Sequence, residues 1–527
     1  KTETKVSASN LSAGSGTLKV GAFDAANVDT VIATATGALG AAIGVVTNVI
    51  TTDHSTGVIV TGTSTDKSSL TGTSVSVDAD AKEGISSLLI AASGAQYAAV
   101  SASANVNRQL SDVSAAVDQA EVLGSFAQTA NYLGKITTSA ITAAGSQYAA
   151  VPISVVINYA DNAVSSSLVH SILRAEGQVA SVGANRISEF SSLNVTASGA
   201  MYGAAAGLVN VNTIEGATSA EVNDSEVKAG QFNVNAENED HLKVTDVTAA
   251  GAIGSLGASV IVSYLKGSSA ANLRNSIVTA DKLTVSSLQD HYVNGTVAFA
   301  SGGIGTIGAN VFSLVIGSGD NPFASNRQDL GKAEDTVNKY LSDYASSGSG
   351  SLGFIAENDD LTQEEKDKIV GSAAAADAAV SSGSGKGASV LVSGNQLTVG
   401  SAGISAKEDS KGGNIDVTLG SGSAGAGVLA ASVITLRRHY NSQVNLSGNS
   451  ITADKNFNVL NSLEGKTNLE AIQTSLALAS GTAAYADAEI TGGASTIWDG
   501  NVSGGIEVPG TKPEGSKDEG GKAEENK

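Results

Sequence analysis

The chain lacks cysteine and has little proline or aromatic content: no cysteine, four prolines and 4% aromatics among 527 residues. The absence of cysteine excludes a disulfide framework and any cysteine-based metal site. The scarcity of proline leaves almost every backbone N–H free to enter a hydrogen-bonded ladder. No apolar run reaches the roughly 18 residues of a membrane-spanning helix. The first residues, KTETKVSASN, do not form a signal peptide, so we expect a mature product or, more in keeping with its ends, an internal part of a longer protein.

Basic residues are scarce relative to acidic ones. The chain carries 51 aspartates and glutamates against 30 lysines and arginines, a net charge of −21. A surface of this sign repels DNA, RNA and acidic bilayers. We therefore expect no nucleic-acid partner.

Residue combinations that carry chemistry are also missing. No His-x-His, His-x-x-x-His or His-Glu-x-x-His spacing indicates a metal site, and no Gly-x-Ser-x-Gly motif marks a nucleophilic serine. The sequence therefore predicts a protein that is not an enzyme and needs no metal or cofactor. The histidines are dispersed along the chain, at His54, His170, His241, His291 and His439.

What the chain does have is a repeat of roughly fifty residues. Blocks such as ASGAQYAAVSASANVN and AAGSQYAAVPISVVIN recur at steps of 51 to 54 residues. Self-similarity at this period is typical of solenoids and propellers, in which each unit buries its apolar face against its neighbours. The glycines that anchor the blocks are Gly94, Gly145, Gly199, Gly251 and Gly302.

Offsets within the units stay constant, which predicts that equivalent side chains stack from one unit to the next. Tyrosine lies three residues after the first three anchoring glycines, and asparagine lies thirteen after them; in units four and five the same counts give Gly254 and Gly305, then Tyr264 and Val315. Further along, an apolar, small polar, apolar pattern keeps its register. Examples are Leu168, Ser171 and Leu173, matched by Val222, Ser225 and Val227 and then by Leu273, Ser276 and Val278.

Alternation within each unit, as in Ser74-Val75-Ser76-Val77, is typical of half-buried strands. We predict an all-β fold, a parallel β-helix (β-solenoid), over residues 1–317 and 387–500. With strands of about 3–10 residues, each unit would form about two rungs. At about 4.8 Å per rung, the rod would be on the order of 80 Å long or more. A propeller is the main alternative, but its blades usually repeat aromatic signatures, which this chain lacks.

Residues 318–386 interrupt the repeat, and their apolar spacing predicts an inserted α-helical hairpin. Thr362 followed by Glu365 is a capping-box pattern that marks the start of the second helix. The insertion either contacts a ligand or receptor, as loops on rigid scaffolds often do, or is merely tolerated. The candidate binding residues within it are Tyr340, Tyr344, Phe354, Asp359 and Asp360.

The last segment, residues 501–527, is rich in glycine, lysine and glutamate and almost free of hydrophobic residues after Pro509. This composition predicts a disordered acidic tail or a linker to a further module.

Three smaller groups of residues have more than one interpretation. Tyr97, Tyr148 and Tyr202 form either an exposed aromatic strip for glycan stacking or a ladder in the core, and their small apolar neighbours favour the core. Acidic clusters, such as Asp78 with Asp80, or Glu237, Glu239 and Asp240, could bind calcium but are more typical of solvated corners. The basic cluster of Arg437, Arg438 and His439 also suggests a solvated corner.

The repeat motif supports a family resemblance. The recurring AxGxxxAAVxxSVxxN, followed by xSxAxVxxSxVxA, resembles the repeats of filamentous haemagglutinin-like exoproteins, especially the filamentous adhesins grouped with the fusobacterial leukotoxin. The resemblance covers most of residues 1–320 and about 400–495.

This resemblance implies a right-handed parallel β-helix that is secreted or displayed on the bacterial cell surface after type V export through an outer-membrane partner. It implies a role in adhesion, virulence or biofilm formation, with a host cell-surface protein or glycan, or another bacterial surface component, as the partner. Two alternatives stay open: a passive spacer carrying a toxin module of a contact-dependent or two-partner secretion system, and a β-helix enzyme that degrades polysaccharides. The enzyme would need charged residues stacked mid-repeat, where this chain has Ser, Asn and Ala.

Overall fold

A computed structural model describes residues 1–317, 387–411 and 413–504, and in these ranges the regular secondary structure is all strand. All the strands belong to one sheet, and every pairing in it is parallel, which confirms the predicted all-β parallel solenoid. The strands are β1 (Thr2–Ser7), β2 (Asn10–Ser12), β3 (Thr17–Ala38), β4 (Ala41–Thr61), β5 (Ser68–Ala95), β6 (Ala98–Asp118), β7 (Ala120–Ser146), β8 (Ala149–Val169), β9 (Ile172–Gly199), β10 (Gly203–Asn223), β11 (Glu226–Gly251), β12 (Gly254–Arg274), β13 (Ile277–Ile316), β14 (Ala388–Ser393), β15 (Gln396–Glu408), β16 (Asn414–Ala453), β17 (Phe457–Leu463) and β18 (Lys466–Gly504).

Each repeat unit forms one coil of the solenoid rather than two. The anchoring glycines pair directly, Gly94 with Gly145 and Gly145 with Gly199, so one step of the repeat advances the chain by one rung. Strands β4 to β12 are 21 to 28 residues long, well beyond the usual range. The prediction of two rungs per unit is therefore wrong. The described residues form eight coils, which at about 4.8 Å per rung extend about 40 Å, half the expected length.

The two long strands of a coil face each other across a narrow interior. Hydrogen bonds join them there, from Ser101 to Ser93 (2.9 Å) and from Asn105 to Ser87 (2.8 Å). Alternate residues point inward, and the predicted stack of Leu168, Val222 and Leu273 is fully buried and in register. The interior side chains are mostly small or β-branched because this gap is thin.

Each coil turns at two ends, which we call the tip and the base. Where the strands break at the tip, the turn has two residues, such as Gln96 and Tyr97 between β5 and β6, or three, as between β9 and β10. At the base, a residue in the left-handed region reverses the chain, and side-chain oxygens of the next coil accept the neighbouring backbone N–H groups: Ser171 Oγ from Ala120 (3.1 Å) and Ser225 Oγ from Ser171 (3.1 Å). The left-handed base residues are Gln119, His170, Asp224, Asn275, Gly394 and Gly448.

At the tip between β11 and β12, the pairing of strands departs by one residue from the alignment that is obtained by counting from the anchoring glycines. The turn before Gly254 is one residue shorter than the turn before Gly203, and these two glycines pair. Tyr202 therefore has Ile253 as its neighbour in the next coil, not Gly254. For the same reason Asn212 pairs with Ser263, so the predicted match to Tyr264 is wrong.

The insertion leaves and rejoins a single coil. Gly317 N donates to Leu265 O (2.8 Å) and Ser269 N donates to Gly387 O (3.2 Å), so the ladder resumes almost where it stopped. The predicted helical hairpin of residues 318–386 lies outside the described residues. So does the predicted tail of residues 501–527, except for its first four residues, which complete β18.

Candidate functional site

Three tyrosines form an exposed stack along the tip. The rings of Tyr97 and Tyr148 are 5.4 Å apart at an interplanar angle of 13°, and those of Tyr148 and Tyr202 are 5.3 Å apart at 15°. Their exposed fractions are 55%, 44% and 52%, so the favoured placement in the core is wrong. Both residues of the Gln-Tyr turn face outward because the inward alternation resumes only at Ala99 and Ala150, which are fully buried.

The stack is part of a longer ridge with one residue from each coil. Beyond Tyr202 the equivalent positions are occupied by Ile253, Ile304, the partly buried Ala426 and Leu478; the exposed fractions of Ile253, Ile304 and Leu478 are 43%, 60% and 93%. Large exposed apolar side chains that recur along one edge are typical of an interaction surface. We call it the tip ridge: Gly40, Tyr97, Tyr148, Tyr202, Ile253, Ile304, Ala426 and Leu478.

A shallow apolar trough of about 940 Å³ runs beside the ridge, on the outer face of the strands that come after the tip. It is lined by alanine, glycine, serine and a few aliphatic side chains, and it crosses six coils, a length of about 25 Å. An extended chain molecule could lie in it perpendicular to the strands. The lining segments are 149–151, 203–205, 254–256, 305–307, 427–429 and 479–481.

The tip half of every coil contains no Asp, Glu, Lys or Arg. The chain has 81 such residues, yet all of them in the described ranges fall outside eight segments, which recur about every fifty residues except across the insertion of residues 318–386. This spacing of charge has the same fifty-residue period as the glycines, so the sequence contained the signal that marks the tip. The charge-free segments are 30–52, 84–107, 136–160, 190–214, 247–265, 291–317, 417–436 and 471–486.

The remaining half of the coil contains a buried network of charges. Arg186 is fully buried, and its guanidinium donates to Asp240 Oδ1 (2.6 Å), to Asn238 Oδ1 (2.5 Å) and to the carbonyl of Glu215 (2.7 Å). Asp240 is also fully buried, so its placement in a solvated corner is wrong.

The network continues through the next coils. Asn238 donates to Gln289 (2.6 Å), Gln289 contacts His291 (3.1 Å), and His291 Nδ1 lies 3.1 Å from Asp409 Oδ1. Asp409 forms an ion pair with Arg438. Burial lowers the pKa of His291 and raises that of the nearby Glu408. Because these groups are buried, they are not accessible to a ligand.

The basic cluster is likewise part of the folded structure and not a solvated corner. Arg438 is 1% exposed, and Arg437 is 11% exposed and donates to Asp487 (2.6 Å). The predicted solvated corner is therefore wrong for both arginines.

A second, smaller cleft of about 410 Å³ lies outside the tip, where His241 stacks on Tyr292 (4.5 Å). Two of its lining residues have ionisable partners: Lys135 lies 3.5 Å from Glu189, which also lines the cleft, and His241 lies 3.3 Å from Glu239. Paired charges of this kind are typical of an ordinary solvated surface.

Within the described ranges, no group of three or more His, Cys, Asp or Glu residues is arranged to hold a metal ion. In the same ranges, no helix is long and apolar enough to cross a membrane. The predicted binding residues Tyr340, Tyr344, Phe354, Asp359 and Asp360 lie outside the described residues, so they stay predictions.

Comparisons with protein-family models, with curated proteins and with solved structures find no match to this chain. The function must therefore be inferred from the geometry of the chain itself, and in particular from the exposed, uncharged tip.

Proposed function

We propose that the chain is a repeat region of a large secreted or surface-exposed bacterial adhesin or virulence exoprotein, without catalytic activity, that binds neutral glycans of host cells or biofilms along its tip. The observation that carries this proposal is the exposed stack of Tyr97, Tyr148 and Tyr202 beside an apolar trough on a charge-free edge.

Neutral sugars match this surface in both chemistry and shape. A pyranose ring has an apolar C–H face and hydroxyl groups at its rim, and the electron-rich face of tyrosine attracts C–H groups. The exposed amides of Gln96 and Gln147 stand next to the rings in the same turns and can donate to and accept from hydroxyls. An anionic sugar would find no cationic side chain in the tip half of any described coil.

The solenoid suits a contact that must be rigid and repeated. Its parallel ladders hold each tip turn in fixed register with the next, for example Tyr97 N to Gly40 O (3.1 Å) and Met201 N to Gln147 O (3.0 Å). A surface held on regular strands loses little conformational entropy on binding. Repeated weak sites along one rod also gain affinity when they engage the same polymer.

Three further features belong to this proposal. The coil is right-handed, which is the hand that almost all parallel crossover connections adopt. The prediction that residues 318–386 form a helical hairpin that makes an additional contact is also part of this proposal, and these residues lie outside the described ranges. The exoprotein reaches the cell surface through an outer-membrane export partner, and the host or bacterial partner meets the tip.

The test is direct binding by the folded chain. We expect the wild-type protein to bind neutral hexose oligosaccharides on an array, and the triple variant Tyr97→Ala, Tyr148→Ala and Tyr202→Ala to lose at least about tenfold in affinity. Tyr292→Ala is the matched control because it removes an aromatic ring from a stack elsewhere on the surface. Both variants are checked by circular dichroism and thermal unfolding.

Other outcomes decide between this function and its alternatives. Equal binding by the triple variant and the wild type would show that the tip is not the glycan surface. No binding to glycans or host cells by either protein would favour the passive spacer. Release of shortened oligosaccharides would favour the polysaccharide-degrading enzyme.

A further inference from the structure

The tyrosine stack leaves few ring faces open. At ring separations of 5.3 and 5.4 Å with nearly parallel planes, each ring lies over its neighbour. Tyr148 has a stacked ring on each face and is 44% exposed, so its edge and its hydroxyl group are the parts that it best offers to a ligand. A sugar that stacks on a ring face must therefore use one of the two end rings, Tyr97 or Tyr202.

The two ends of the stack have different neighbours. Beyond Tyr202 the next coil places Ile253, whose branched side chain occupies the ridge position. Beyond Tyr97 the adjoining coil places Gly40, which has no side chain. Apart from its chain neighbours Leu39 and Ala41, no atom lies within 4 Å of a carbon added at Gly40, so no side chain from another part of the described chain fills the position beside the outer face of Tyr97.

The dimensions of this gap are set by the ladder. Each ridge position is one strand spacing, about 4.8 Å, from the next, and the stacked tyrosine rings repeat at the similar centroid separations of 5.3 and 5.4 Å. Tyr97 and Tyr148 show that two six-membered rings fit this repeat when they stack. The gap over Gly40 therefore accepts one more ring in the same orientation.

The surroundings of the gap favour a neutral pyranose. Leu39, 85% exposed, and Gln96, also exposed, border it, one apolar and the other with an amide that can donate and accept. Ile43, 67% exposed, extends the apolar border on the same coil. No charged side chain occurs between residues 30 and 52 or between 84 and 107, the two segments that form the gap.

We propose that the Gly40 position is a binding subsite for one neutral hexopyranose ring, which stacks on the outer face of Tyr97 and continues the tyrosine stack by one ring. This inference rests on the proposed glycan-binding function and adds where on the ridge a sugar ring stacks. The remainder of the oligosaccharide contacts the exposed edges and hydroxyl groups of the tyrosines.

The test places a tyrosine side chain in the gap over Gly40, where it occupies the space proposed for the sugar ring. Gly40→Tyr adds a fourth tyrosine at the open end, and its backbone conformation is one that any residue can adopt. Ile253→Tyr is the matched control, because it adds a tyrosine at the other end of the stack. Tyr97→Ala removes the aromatic ring on which the sugar is proposed to stack. The probes are tetrasaccharides of glucose, mannose and galactose, measured by titration calorimetry, with a sialylated tetrasaccharide as the charged comparison.

We expect Gly40→Tyr and Tyr97→Ala each to weaken binding of the best neutral tetrasaccharide by about tenfold or more, and Ile253→Tyr to change it by less than about twofold. Full binding by Gly40→Tyr, with binding lost in the triple tyrosine variant, would overturn the subsite while leaving the proposed function intact. Loss in Ile253→Tyr but not in Gly40→Tyr would place the ring at Tyr202 and overturn the assignment. Absence of neutral-sugar binding by the wild type would overturn both proposals.

Discussion

The two halves of each coil share the same ladders but differ in how they bury polar groups. In the tip half, neutral amides stack through the interior: Asn107 donates to Asn158 and Asn158 to Asn212, each at 2.9 Å. In the other half, Arg186 and Asp240 form a buried ion pair. The difference teaches that this fold can satisfy polar interior positions with or without charge, and that the interior of the tip half uses neutral amides and hydroxyls.

The comparison also indicates different sensitivities. When a neutral amide loses one partner, a single buried hydrogen-bonding group is left unsatisfied, which destabilises the protein by about 1–3 kcal/mol. A buried charge that loses its partner is much more unfavourable, because removal of one member of a buried pair typically destabilises by about 3–5 kcal/mol.

The largest effect is expected from breaking the buried pair. Arg186→Met leaves Asp240 charged and unpaired in the interior, and we expect a loss of about 3–5 kcal/mol in the free energy of unfolding. Urea denaturation followed by circular dichroism measures the loss.

Two comparison variants sharpen this prediction. Arg186→Met combined with Asp240→Leu removes both charges, so most of the stability should return. Asn107→Leu, a neutral change in the tip half, should lose only about 1–3 kcal/mol, because its partners Thr138 and Asn158 stay hydrogen-bonded to each other. A single Arg186→Met variant as stable as the double variant would show that the buried charges do not distinguish the two halves.

A smaller effect is expected at the boundary of the halves. Asp246 is fully buried between the amides of Asn194 (2.7 Å) and Asn210 (3.2 Å), and burial raises its pKa to about 7 against the opposing effect of these hydrogen bonds. The folded state therefore holds a proton that the unfolded state releases between about pH 4 and pH 7. Stability contributed by this group is highest below pH 4 and falls as the pH rises to 7.

Asp246→Asn should remove this part of the pH dependence. The pKa difference corresponds to roughly 4 kcal/mol at most in the free energy of unfolding. Between pH 4 and pH 8 the wild type should lose a few kcal/mol of stability that the variant keeps. Urea midpoints at the two pH values measure the difference. Parallel pH profiles for wild type and variant would contradict the assignment.

The smallest effect concerns the base, where the left-handed residues reverse the chain. Gln119 adopts a φ of 52°, although glutamine gains nothing from this conformation, whereas asparagine tolerates it and occupies it at Asn275. We expect Gln119→Asn to raise the free energy of unfolding by about 0.5–1 kcal/mol. The reverse change, Asn275→Gln, should lower it by a similar amount. Urea denaturation midpoints measure both changes. Midpoints equal to that of the wild type in both variants would contradict the prediction.

The sequence predicted the features that depend on period and parity. The fifty-residue repeat and the alternation of Val and Ser predicted parallel coils, and the buried, in-register positions of Leu168, Val222 and Leu273 confirm the inward face. The ladder of Asn107, Asn158 and Asn212 is also confirmed as a stack.

Other features could not be predicted because the local pattern is ambiguous. Alternation does not reveal where a strand ends, so a single strand of 28 residues such as β5 resembles several short ones. Asp240 lies between two other polar residues, Glu239 and His241, so its sequence neighbours do not show that it faces inward. Arg186 is followed by an isoleucine, and the alternating pattern would place that isoleucine, not the arginine, in the interior. The exposed position of the tip tyrosines could not be predicted, because they lie in a short turn where the inward and outward alternation of the strands is interrupted. Their small neighbours are compatible with either a buried or an exposed tyrosine.

One coil per repeat has a consequence for variation in this kind of protein. Duplication or loss of one repeat adds or removes a single rung, and every remaining coil keeps the same type of neighbour. The number of ridge positions then changes by one. Under the proposed function, a gene would adjust the multivalency of its product in whole steps without redesigning any individual contact, and recombination between repeats would be a direct means of changing it.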